Sequence, residues 1–347
     1  MADWITGREI IAAAGKAATW RTAVDVNVAN AGLLITSESL GAKAPTYIQD
    51  ESLGLTDLRE IIKTCEDMNG SISGIMRYET WDLLLASAMG TAGSPVLVEG
   101  TAYAHTYSLA DNIDDYFITL AMKKADTTHG IWEIASSTVT GFTLSAGLCS
   151  LAQVTFNLMG NKIENASVTN SALSSVTYRS RSAQVKFDAN SKIRMNTQSG
   201  AALQDSDQIY PSMIELTFAR PFEASREVGY ADAGQPVQNG YSDVRVRLTF
   251  DKYNLDTFMD AIAANTDQKM DIYFKGALIT GTTYYSLLID IPKISWMTGE
   301  ASVGGPGKIA HTVEGRCLAV AAAPTGMTAV DPIWMYLVNT LATNPLA

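Results

Sequence analysis

The amino-acid sequence predicts a mainly β protein of the β-sandwich or α+β class, made of two tandem modules that each carry one helix. Three observations lead there. Strand-period alternation recurs along most of the chain, helical periodicity is confined to two short segments, and those helices occupy matching places in two similar halves.

The strands are read from alternation. Val244, Val246, Leu248 and Phe250 alternate with Arg245, Arg247 and Thr249, which is the period-2 pattern of a strand with one buried face. Ile214, Leu216 and Phe218 repeat it around Glu215 and Thr217. Further candidates are residues 23–28, 33–37, 58–67, 71–78, 116–122, 141–145, 153–158, 184–188, 192–197, 270–275 and 284–289.

The helices are read from a 3.6-residue period. Trp81, Leu84, Leu85 and Ala88 form an apolar stripe, with Thr80 expected as N-cap and Asp82 near the positive helix end. Leu255, Phe258, Met259 and Ile262 repeat the spacing, with Asn254 as cap and Asp256 in the matching early position.

That match prompts a search for an internal repeat. Residues 23–30 lie over 183–190 at an offset of 160, and Leu33 and Ile35 fall on Ile193 and Met195. The helices follow at an offset of 174, and residues 154–160 fall on 309–315 at 155. A tight turn at Met68-Asn69-Gly70 in the first copy, against a long connection at 220–240 in the second, would account for the changing offset. The expected modules are residues 1–170 and 171–318, followed by a C-terminal extension or arm, 319–347. Within it, Val330 to Leu341 reads either as a packed helix or as an arm docking on a neighbour.

Composition narrows the function. The chain has 347 residues, 47% hydrophobic and 18% charged, so part of its surface is expected to be covered by partners. A formal net charge of -11 has the wrong sign for tight binding of phosphates or anionic lipid. No apolar run approaches the roughly 20 residues that span a bilayer. The start, with Asp3, Glu9 and a short apolar run at 10–14, lacks the pattern of a secretory signal, so export is not expected. Cys65, Cys149 and Cys317 are far apart without CxxC spacing, which suggests neither disulfide framework nor zinc site and fits synthesis in a reducing host cytoplasm.

No catalytic, cofactor or metal site is expected. Gly304 to Ile309 fails the phosphate-loop pattern at Ser302 and Ile309, and neither a Gly-x-Ser-x-Gly elbow nor a GxGxxG fingerprint occurs. His105, His129 and His311 stand in separate segments. His311 reads as a core residue in register with Phe156, and His105 as a strand-edge or interface residue. The acidic groups Asp111, Asp114 and Asp115, and Asp205 with Asp207, lack EF-hand spacing and read as solvated loops. The Asn165-Ala-Ser167 sequon would matter only in a secreted protein. The segment 38–54 is a longer connection than strands usually need, which marks a binding loop.

Trp20-Arg-Thr-Ala-Val24, Leu33-Leu-Ile35, Ser39-Leu-Gly41 and Gln49-Asp-Glu-Ser-Leu-Gly54 resemble the N-terminal region of phage tail tube proteins. Tyr103-Ala-His105, Gly141-Phe-Thr-Leu144 and Phe218-Ala-Arg-Pro221 extend the likeness over nearly the whole chain. The resemblance implies sandwich modules whose strands join those of neighbours into a β-lined ring, with rings stacking into the tube through which DNA leaves the capsid. Single-module relatives form hexameric rings, so two modules per chain imply trimers with pseudo-hexameric symmetry. The implied setting is the virion tail, with tape measure and tail completion proteins as neighbours and double-stranded DNA in transit without tight binding. An acidic channel wall would repel phosphates; Glu133, Glu215 and Asp271, on expected strands, are the candidates for it. Leu40, Lys43, Tyr47, Asp50 and Glu51 are candidates for a ring-stacking loop. The competing readings are a baseplate or decoration protein, which would form discrete oligomers, and a hydrolase or carbohydrate-binding module, which would need a carboxylate pair in a pocket.

Overall fold

The structure is a computed structural model that describes residues 9–48, 61–113, 116–124, 130–165, 169–253, 256–301 and 306–347. It is mainly β, as the alternation indicated, with two helices among the described residues.

In the first half the elements are β1 (Ile11–Ala17), β2 (Ile35–Glu38), β3 (Gly41–Lys43), β4 (Asp67–Ile75), α1 (Asp82–Met89), β5 (Val96–Glu99), β6 (Ala102–Tyr107), β7 (Phe117–Lys123), β8 (Trp132–Gly147) and β9 (Gln153–Gly160). In the second they are β10 (Lys192–Thr197), β11 (Met213–Ala219), β12 (Asp243–Phe250), α2 (Thr257–Ala263), β13 (Gln268–Thr280), β14 (Thr283–Thr298), β15 (His311–Cys317) and β16 (Trp334–Asn339). Short two-stranded ribbons, such as Thr46–Ile48 with Ile61–Lys63, decorate the connections.

All these strands pair antiparallel. The first half runs β1-β7-β8-β9-β4, with β2 and β3 following each other along the outer edge of β4. The second runs β10-β13-β14-β15-β12-β11. The two orders are the same, and each helix sits in the chain after the strand that pairs second from that edge. Two joints of the main sheet connect the halves. Residues 141–147 of β8 pair with all of β11, and β16 lies between residues 286–290 of β14 and residues 103–107 of β6. Among the described residues no path of strand pairing returns to its start, so the sheet is branched and open rather than a closed barrel.

The long strands β8 and β14 organise this arrangement. Each changes neighbours along one edge near its middle: β8 from β7 to β11, and β14 from β16 to β15. A register shift marks the passage, at Val139/Gly141 in β8 and between Ile291 and Ile294 of β14 in its pairing with β13, as bulges do where strands bend. Side chains from both halves fill one main core. Trp81, Leu84, Leu85 and Ala88 are all buried there, as their spacing required, and the Trp81 indole donates to the Ile75 carbonyl at 2.8 Å.

Several local expectations are corrected. Residues 23–28 form no strand; their backbone is satisfied by side chains, Val24 N–H donating to Thr119 Oγ1 and Val26 N–H to Asn170 Oδ1. Helix α1 is preceded by Trp81 without a side-chain cap, and the Thr80 hydroxyl is buried without a partner. Asn254 and Leu255 lie outside the described residues, and α2 starts after Asp256. Met68-Asn69-Gly70 is no turn and lies inside β4. Gly70 has φ +155° and presses so close to Ser39 that an added Cβ would stand 2.5 Å from its carbonyl oxygen. The connections that enter β4 and β12, residues 44–66 and 220–242, are of equal length, so an extended hairpin does not explain the changing offset. The segment 330–341 carries β16, a strand held on both edges by its own chain, in place of a helix or an outward arm.

Candidate functional site: the polar face of the continuous sheet

Across the first joint the sheet runs unbroken through β2/β3, β4, β9, β8, β11, β12, β15 and the end of β14. The period-2 alternation of each strand sends apolar side chains to one face. Ile72, Phe156, Phe142, Phe218, Val244, Cys317 and Ile294 stand opposite one another in sequence across the strands and are all buried.

The neighbouring row faces the other way. It reads Ser37, Ser73, Thr155, Thr143, Thr217, Arg245, Arg316 and Ser295, one residue per strand, each opposite the next. A parallel row reads Gln153, Ser145, Glu215, Arg247, Glu314 and Thr298. These rows are polar, and the two halves of the face differ in kind.

From Ser37 to Thr143 and from Gln153 to Ser145, on the first half, the rows are uncharged. Cross-strand hydroxyl pairs join Ser73 to Thr155 at 2.9 Å and Ser39 to Ser71 at 3.0 Å. On the second half the face carries Glu215, Asp243 and Glu314 against Arg245, Arg247 and Arg316, which balance. Arg245 Nε donates to Asp243 Oδ2 at 2.7 Å and its Nη1 to Glu314 Oε1 at 3.2 Å. Arg316 Nε stands 2.8 Å from Asp243 Oδ1, an ion-pair contact rather than an aligned hydrogen bond. The Asp243 hydrogen bond and charge, then Glu314, hold the Arg245 guanidinium above its ordinary range. Together with Thr217, these groups line a shallow polar groove over β11, β12 and β15.

The sequence-predicted acidic residues are not brought together. Glu215 lies on the polar face. Glu133 is only 2% exposed, its carboxylate accepting from Asn170 Nδ2. Asp271 is 5% exposed and gripped by Arg194, whose Nε lies 3.0 and 3.1 Å from the two carboxylate oxygens. Burial removes both from any water-facing wall. Of the loop candidates, Leu40 is buried, Lys43 is exposed at the end of β3, and Tyr47 lies on the short strand Thr46–Ile48. Asp50 and Glu51 lie outside the described residues.

Nothing described gathers into a reactive centre. His311 is buried and satisfied by the Gly299 carbonyl at 2.7 Å, as a core residue should be. His105 is equally buried, 2.8 Å from the Leu341 carbonyl, on a strand paired along both edges and so not at a sheet edge. His129, Asp114 and Asp115 lie outside the described residues. Asp205 pairs with Lys192 at 2.8 Å. Among the described residues no three His, Cys, Asp or Glu side chains converge as metal ligands, and no helix is long and apolar enough to cross a membrane.

Sequence reasoning missed the charged ladder of Arg245, Arg247, Glu314 and Arg316. Its signal was present, since the arginines are the polar half of the alternation that identified β12. Only the register with β15 shows that Glu314 stands across from Arg247, and Arg316 across from Arg245.

The family model of phage tail tube proteins matches residues 7–317. No curated protein matches the chain.

Proposed function

The chain belongs to the phage tail tube protein family, a structural role in the virion tail, and on that premise we propose that the polar face of the continuous sheet is the inner wall of the tube. Three copies close a ring, rings stack, and DNA passes along the face during ejection. The two halves are tandem modules, and each contributes four strands of wall.

The single observation that carries this reading is the repeat of the wall itself. Strands β2/β3, β4, β9 and β8 recur as β11, β12, β15 and β14, in the same order and with the same face polar. A chain that has already joined two such units edge to edge can add a third by the same step. Three chains supply about 24 strands, well above the 16–18 that enclose a porin-sized channel.

The wall passes DNA without holding it because its cations are occupied. Binding a phosphate releases counterions only where a guanidinium is free to exchange them; here Arg245 and Arg316 already face Asp243 and Glu314. This replaces repulsion by an acidic wall with self-neutralisation, and Glu215 remains as one member of a balanced ladder. The connection 44–66, with Lys43 before it and Tyr47, Asp50 and Glu51 within it, is the proposed contact between copies, and tape measure and completion proteins are the proposed partners at the tube's ends. The reading assigns the chain no catalysis.

Electron microscopy of the purified chain tests it. Hollow tubes whose rings average with threefold symmetry are expected. A stable monomer at high concentration would overturn the reading, and rings of six whole chains would overturn the stoichiometry.

A further inference from the structure

The joint inside the chain leaves two loose ends. In the first half, residues 141–147 of β8, beyond the stretch paired with β7, take β11 as their neighbour. In the second half, β14 pairs with β13 only as far as Ile294, and on that side Ser295–Thr298 have no strand partner among the described residues. The strand equivalent to β11 is β2/β3, whose outer edge likewise has no strand partner among the described residues.

We propose that β2/β3 of a second copy pairs antiparallel with Ser295–Thr298 of β14, reproducing between chains the pairing of β11 with β8 within one. This rests on the ring reading above and specifies which edges meet.

The register follows from residues opposite one another, once the offset of 174 that lays Trp81 on Leu255 sets Ser73 over Arg247. Ser73 faces Thr155 as Arg247 faces Glu314, and Thr155 faces Thr143 as Glu314 faces Thr298. Thr298 therefore holds the place of Thr143. Ser39 N–H donates to the carbonyl of Ser71, which holds in β4 the place that Arg245, facing Thr217, holds in β12, so Ser39 holds the place of Thr217. Since Thr143 faces Thr217, Thr298 should face Ser39 of the second copy. The apolar side agrees: Phe142 beside Phe218 becomes Trp296 beside Leu40, and all four are buried toward the core.

Cysteine cross-linking of the full chain tests the pairing, because directly opposed strand residues lie within disulfide reach. In a Cys149→Ser background, assembled Ser39→Cys/Thr298→Cys protein should form covalent oligomers under mild oxidation, with the ladder ending at three chains. Mixing the two single variants should give covalent dimers only, which establishes a link between chains. Tubes without the cross-link, or a link closing within one chain, would overturn the joint while leaving the tube reading intact. Absence of tubes by microscopy would overturn both.

Discussion

Arg220, from the second half of the chain, donates through Nη2 to the carbonyl of Met89 at 3.1 Å, closing the end of the helix in the first half. The guanidinium is 3% exposed, and burial lowers its pKa to about 10. Its backbone N–H extends the β8–β11 ladder by a bond to the Thr140 carbonyl at 2.7 Å. One residue thus ties sheet, helix and both halves together.

Replacing Arg220 with Met keeps much of the volume and removes the donor to the Met89 carbonyl. The Met89 carbonyl keeps the Ala110 N–H at 2.9 Å, so the loss is one hydrogen bond from a charged donor, about 1.5–3 kcal/mol, and the Tm of Arg220→Met should fall by several degrees in calorimetry of the purified chain. A variant that melts with the wild type would show that water replaces the guanidinium at no loss.

Much of this fold was legible as periodicity and little of it as connectivity. Lys192–Thr197 and Asp243–Phe250 could be read because one face of each is buried, and Trp81 to Ala88 because one helical stripe is. The stretch 23–28 has strand-like side chains yet takes its hydrogen bonds from Thr119 and Asn170, a choice made by tertiary neighbours. Glu133 and Asp271 sit on strands as expected, but alternation gives two faces without naming the wet one. Their partners Asn170 and Arg194 lie 37 and 77 residues away in sequence.

Asp290 gives a pH dependence. It stands on β14 directly opposite Asp271, which Arg194 grips, and its other neighbour is Trp334 of β16. Burial, then the Asp271 charge, push its carboxyl up to about 7. A carboxyl raised in the folded state contributes stability that is full below its unfolded pKa and lost as pH rises through the folded one. Asp290→Asn should therefore match the wild type in Tm below about pH 4, exceed it increasingly between there and about pH 7, and keep a constant advantage above that. A Tm difference that stays constant between about pH 4 and about pH 7 would show that Asp290 does not titrate there.

Gly141 sets how closely the halves approach. A Cβ added there would lie 2.3 Å from the Phe218 carbonyl oxygen, a backbone atom that cannot move without shifting β11. Gly141→Ala should open the joint between β8 and β11, and calorimetry should resolve two transitions where the wild type shows one. A single transition with a lowered midpoint would mean that β16, which also bridges the halves, suffices to keep them cooperative.

The balanced ladder makes the strongest claim about passage of DNA. Asp243→Asn with Glu314→Gln removes the carboxylates facing Arg245 and Arg316 while leaving the strands and the hydroxyl rows in place. The side chains of these pairs are open to solvent and screened by it, so losing them should cost stability little. The electrostatic consequence is larger, because released guanidiniums can then trade counterions for phosphates. Assembled variant tubes should retain a labelled duplex at 50 mM salt and lose it by 200 mM, the affinity falling with a log-log slope of about one per phosphate neutralised. Wild-type tubes should retain it at neither. If wild-type tubes bind DNA as well as the variant does, the carboxylates are not what keeps the wall from sticking, and the smooth passage would have to come from the hydroxyl rows of the first half alone.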